Sequence, residues 1–278
     1  MNTIIVNPPK SLNLRVCGGK EFSIEEIRMV PTPEPTTRMT KKRNGEVGRE
    51  VISWLPISHA SLIDTFKEQM EAAKPKLTIE KEYLTLARDG QRFFGLFQVS
   101  GVSRANSDRI GTVVGLRNSI DKSFPAAICA GDAPFVCTNL IFSNEIKLGR
   151  KHTAFIMQDL PQLISRALGM LGTHWANQDA RIATYRSHLL TDAEAHDLII
   201  RAHRVGAIPK TLIADTADQW HNPEHDEFAE RNGYSLYNAF TNVLRGNIAA
   251  LNARSDALHG VLDIAFGLNA TVVDVEAE

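Results

Sequence analysis

Apolar positions come in short runs through the first half of the chain and at helical spacing through the second. Between residues 77 and 137 the runs are β-branched or aromatic and are bounded by Gly, Pro, Asn and Asp: 77–86, 93–99, 112–116, 125–130 and 134–137. Runs of that length and composition predict strands joined by turns. Asp89-Gly90, between the first two, predicts a hairpin, and Gly131-Asp132-Ala133 predicts a further turn. Upstream, residues 51–55 predict a short strand. Ser58 then stands as the N-cap of a helix over 59–73 that buries Leu62, Ile63, Phe66 and Met70 and is closed by Pro75.

From 159 to 188 the positions Leu160, Leu163, Ile164, Leu168, Leu171, Trp175, Ile182 and Tyr185 recur at the period of a helix, with Gly169 and Gly172 as points of interruption. Thr191 and Glu194 form a capping box for a helix over 192–204, and Gly206 followed by Pro209 stops it. Asn222-Pro223 predicts a helix start, Gly233 a terminator, and Ser235 the N-cap of a helix over 236–251. Residues 1–50 hold PTPEPTT and then Arg38, Lys41, Lys42 and Arg43 with little apolar periodicity, which predicts an extended or mobile basic arm. The expected fold is α+β, with an antiparallel sheet and a helix in the N-terminal half (51–143) and a helical C-terminal half (144–278) packing on it.

Composition narrows this only a little. The hydrophobic fraction of 43% and charged fraction of 23% are those of an ordinary globular chain. A net charge of −1 gives no overall pull toward nucleic acid, although charge can be segregated locally. Cys17, Cys129 and Cys137 lack CxxC spacing, which argues against a zinc site or a disulfide framework. The opening MNTIIVNPPK does not have the pattern of a secretory signal, and a cytoplasmic location is expected, with no membrane contact.

His221-Asn222-Pro223-Glu224-His225 spells the H-x-x-E-H spacing of some zinc peptidases, but Pro223 favours a helix that begins after His221, so no metal is expected there. No phosphate loop, nucleophile elbow or catalytic set is apparent, and neither an enzyme nor a cofactor is expected. The densest polar run in the sheet half is Arg117, Asn118, Ser119, Asp121, Lys122 and Ser123, a connector between two strands. Its bland reading is a turn whose Asn, Ser and Asp satisfy their own backbone. Its functional reading is a loop that contacts phosphate or a partner chain; for phosphate it is joined by Arg150 and Lys151 and by the arm's Lys41, Lys42 and Arg43, with Arg104 and Arg109 assisting.

Three stretches resemble one family. Residues 118–123 (NSIDKS), 135–139 (FVCTN) and 235–247 (SLYNAFTNVLRGN) are similar, in this order, to motifs of the phage- and plasmid-borne "domain of unknown function nine-three-two" family. The match spans roughly residues 54–247; Ile120 and Lys122 stand where that family carries His and Gly, and Leu244 and Asn247 also depart from its pattern. The resemblance implies a mobile-element protein without assigned catalytic residues. The order of elements is in addition similar to the core of Rad52-type single-strand annealing proteins, which hold single-stranded DNA as oligomers. The expected function is therefore single-stranded DNA binding of annealing or recombination type by a homo-oligomer. The alternative is a protein that blocks a host defence or restriction system by covering a partner's surface.

Overall fold

The computed structural model describes residues 20–74, 76–101, 110–134, 141–244 and 248–268. A short helix α1 (Ile24–Arg28), held by a Ser23/Glu26 capping box, is followed by β1 (Thr36–Lys41) and β2 (Val47–Trp54), which pair antiparallel as a separate two-stranded sheet. This corrects the expectation of an extended arm for these residues: Asn44-Gly45 supplies the turn, with Gly45 at φ 85°. Helix α2 (His59–Ala72) begins where Ser58 accepts from the Ser61 amide, and it buries Leu62, Ile63, Phe66 and Met70 as its spacing dictates. Pro75 lies outside the described residues.

Five antiparallel strands then follow in simple up-and-down order: β3 (Thr78–Ala87), β4 (Arg92–Ser100), β5 (Ile110–Ser119), β6 (Ala126–Pro134) and β7 (Ile141–Arg150). The β3–β4 turn places Arg88, Asp89 and Gly90 all at positive φ, the conformation that Asp-Gly signals. Gly131 pairs with Val113 inside β6, so the expected turn at 131–133 is instead continuous strand. The run 134–137 falls mostly outside the described residues, and the polar stretch after 143 forms β7.

Alternate residues of the sheet feed two cores, one on each face. On one face Leu84, Phe93, Phe97, Val114, Leu116 and Ile128 pack on α2 and on the first half of α3 (Ile156–Ser187). On the other, Tyr83, Leu96 and Val113 join the core of the C-terminal helices. Those are α4 (Asp192–Arg204), α5 (Ile213–His221), α6 (Gly233–Val243) and α7 (Ile248–Ala265).

Helix α3 runs unbroken through Gly169 and Gly172, and α4 has the boundaries and the Thr191/Glu194 capping box that its sequence predicts. Residues 222–225 are not helical. Gly233 opens α6 rather than ending a helix, because the Asn232 side chain accepts from the Ser235 amide and takes the N-cap that Ser235 was expected to fill. Among the described residues no helix is long and apolar enough to cross a membrane.

Candidate functional site

The β5–β6 connector is built on one buried side chain, Asn118. In a strand, Arg117 and Asn118 point to opposite faces, and Asn118 shares the buried face of Val114 and Leu116. Its Nδ2 donates to the Ile57 carbonyl and to His59 Nδ1, both at 3.0 Å, and its Oδ1 accepts from His152 Nε2 at 2.8 Å. Because His59 accepts at Nδ1, its Nε2–H is the group that donates to the Gly90 carbonyl at 2.8 Å. Burial lowers the pKa of His59 below its ordinary value, only partly offset by the bond to Gly90; burial and then the neighbouring His59 lower that of His152. Both rings are neutral at pH 7, and they tie α2, β5 and the residues after β7 together. Asn118 was expected to face phosphate; it is 0% exposed and serves this junction instead.

The loop beyond it is also ordered by its own side chains. Asp121 accepts from Arg92 Nε at 2.7 Å and from the Ser123 amide at 3.0 Å. Burial raises the Asp121 pKa, but the bonds from Ser123 and Arg92 outweigh it and bring the carboxyl down to about 2. Ile120 donates to the Gln91 carbonyl, so the loop leans on the β3–β4 turn. This brace leaves Lys122 exposed at φ 64°, in the left-handed region that side chains other than Gly seldom adopt. Its ammonium sits 4.5 Å from the centre of the Trp54 ring, at the foot of the β1–β2 hairpin.

The hairpin foot meets the same edge from below, where the Leu55 amide donates to the His152 carbonyl at 3.0 Å. Lys122, exposed Lys151 and the base of the hairpin are thereby gathered at one end of the sheet. Lys41, Lys42 and Arg43 lie at the hairpin's tip, all exposed, with Lys42 paired to Glu46. Two other candidates are not part of this cluster. Arg150 is paired with Asp159 at 2.5 Å, and Arg117 lies on the opposite sheet face, over the Phe124 ring at 5.3 Å. Phe93 is fully buried, Phe94 packs half-exposed against Phe124, and Arg104, Arg109 and the Phe142 side chain lie outside what the structure describes.

No family model, curated protein or solved structure matches the chain. The chemistry of the site therefore has to be read from its own side chains.

A second polar network lies in the C-terminal core. Arg181 Nε donates to both oxygens of Asp263 at 3.1 and 3.2 Å, and Tyr185 donates its only hydroxyl proton to Asp263 at 2.6 Å. Tyr185 must then accept from His259 Nδ1, and Tyr237 donates to His259 Nε2. Burial drives His259 well below its ordinary value and, together with the Asp263 charge, Tyr185 well above its own. All four partners of this network other than Arg181 are buried, and it braces α3, α6 and α7 against one another. The histidines of both networks are scattered in sequence. Only the position of Asn118, polar on the apolar side of a strand, signals the first of them.

Proposed function

We propose that this end of the molecule grips the sugar–phosphate backbone of single-stranded nucleic acid between the β1–β2 hairpin and the β5–β6 loop. What carries the reading is the segregation of charge: over residues 36–54 five cations (Arg38, Lys41, Lys42, Arg43, Arg49) stand against two acids (Glu46, Glu50), in a chain whose net charge is −1. Almost every hairpin residue is exposed, and Lys122 and Lys151 extend the cationic surface from its foot. Trp54, half-buried under the Lys122 ammonium, offers an aromatic face at the same place. A role in annealing or recombination follows if several copies line up along one strand.

The test is a salt titration of binding to a fluorescent oligothymidine. Binding is expected at low salt, with a log–log slope that falls by about 0.7 for each of Lys122→Ala and Lys151→Ala. Removing Lys41, Lys42 and Arg43 together should lower the slope by about two. Absence of binding at low salt, or slopes indifferent to all five positions, rejects the reading. A second reading draws on the exposed apolar side chains of the same hairpin, Met39 (54%), Val47 (67%) and Ile52 (41%). These suit a protein partner, such as a host defence factor, better than phosphate.

A further inference from the structure

We infer that His196 and His221 form a surface site for a divalent late transition-metal ion, clipping α4 to α5. The two Nε2 atoms face each other at 3.0 Å, with ring centroids 5.2 Å apart and planes inclined at 66°. They belong to different helices, 25 residues apart, and Asp192 of α4 ties the end of α5 to α4 beside them. Its Oδ1 accepts from Trp220 Nε1 at 3.0 Å and from Arg231 Nη1 at 2.6 Å, while Arg231 covers the Trp220 ring at 5.0 Å. Trp220 is buried and His221 follows it, so the end of α5 is fixed against the exposed side of α4 where His196 stands. Both helix ends are preorganised and both imidazoles are open to solvent.

Without metal, one proton lies between the two nitrogens. A metal takes its place, and the imidazole that held the proton carries it on Nδ1 instead, so charge and atoms balance. For His221 that nitrogen lies 4.0 Å from the Asp192 carboxylate, the kind of outer partner that orients a ligating histidine. In the metal-free protein Arg231 Nη1 donates a long bond to the same nitrogen at 3.5 Å, which is given up when Nδ1 takes the proton, while Arg231 keeps its bond to Asp192. An ion about 2.0–2.1 Å from each nitrogen would subtend about 90–95° between them. That is close to the right angle of octahedral or square-planar coordination, the geometries of Ni2+ and Cu2+. Among the described residues no three His, Cys, Asp or Glu side chains converge on a metal position, so water completes the shell. His225, the other histidine of the H-x-x-E-H run, packs on Phe228 and lies outside the site, and Glu224 accepts from Asn242.

Tag-free protein is titrated with Ni2+ by calorimetry and by thermal unfolding, with Mg2+ as the control. One Ni2+ per chain and a rise in unfolding temperature are expected for the native protein, and no response to Mg2+. His196→Ala and His221→Ala should each weaken binding by more than the roughly tenfold that loss of an outer-shell partner costs, and should abolish the thermal shift. His225→Ala should bind as the native chain does. Circular dichroism establishes that each variant is folded, as expected for exposed positions. No uptake by the native protein at millimolar Ni2+ overturns the proposal. So does uptake that survives both substitutions, which would mean an adventitious ion only.

Discussion

Replacing Asn118 with alanine is expected to cost about 3–5 kcal/mol of stability, from three buried hydrogen-bonding groups orphaned at about 1–3 kcal/mol each with some relaxation. The side chain is fully buried and uses both amide hydrogens and one oxygen lone pair. Alanine leaves the Ile57 carbonyl, His59 Nδ1 and His152 Nε2–H facing an apolar wall. His59 also stacks on Phe93, the residue paired with Asn118 across the sheet, so a shift of its ring disturbs the core beneath it. Urea unfolding monitored by tryptophan fluorescence should show a lower midpoint at unchanged slope. A loss below about 1 kcal/mol would mean that the two histidines find other partners and that the junction described here does not hold the hairpin foot to the sheet.

The second large effect is acid lability beginning near neutrality. Burial is the leading cause that keeps His59, His152 and His259 below their ordinary pKa in the folded protein. Once unfolded, each takes up a proton near pH 6.5. Below that value the unfolded state binds more protons than the folded one, so stability falls as pH falls, and it levels off only when the folded-state values are reached. Above pH 6.5 these residues add no pH dependence. The slope for each is at most about 1.4 kcal/mol per pH unit, and about 4 kcal/mol per unit if all three act together. Asp121, held down at about 2, works in a separate window: the stability it supplies is present above about pH 3.8 and disappears as pH drops toward 2. Unfolding free energies measured from pH 7.5 to 5.0 isolate the histidine contribution. A flat or rising profile as pH falls through 6.5 would contradict the buried, neutral assignment.

What the chain reveals in advance is whatever rests on local chemistry. Helix α4 is legible because Thr191, Glu194 and Gly206 act within a turn of the ends they define. The β3–β4 hairpin is legible because Asp89-Gly90 supplies the positive φ that the turn needs. Of the β1–β2 hairpin only the end of β2 is legible, as the strand expected over 51–55; the rest is opaque, since Met39 and Val47 meet no core and leave no alternation tied to burial. Strand β7 hides for a related reason: Ile146 and Leu148 alternate with charged residues that dominate the composition of residues 144–151. Asn222-Pro223 misleads because a turn after α5 uses the same residue types as a helix start.

At the site, the cationic candidates are visible as residue types, but strand parity decides their fate. It places Asn118 inside, sends Arg117 to the far face and leaves Lys122 and Lys151 on the surface. The pairs His59/His152 and His196/His221 depend on contacts across 93 and 25 residues, separations over which a single sequence carries no spacing rule.

Strand β3 stands at one margin of the five-stranded sheet, and among the described residues another segment bridges to it only near Thr85, through Glu21. Its other end, from Thr78 to Glu82, carries exposed Glu80 and Lys81, with Glu82 half-buried and paired to Lys67 at 2.7 Å. A neighbouring chain that tried to continue the sheet there would have to bring its own backbone against these charges, a known deterrent to runaway strand addition. Self-association, where it happens, is thus steered away from this border.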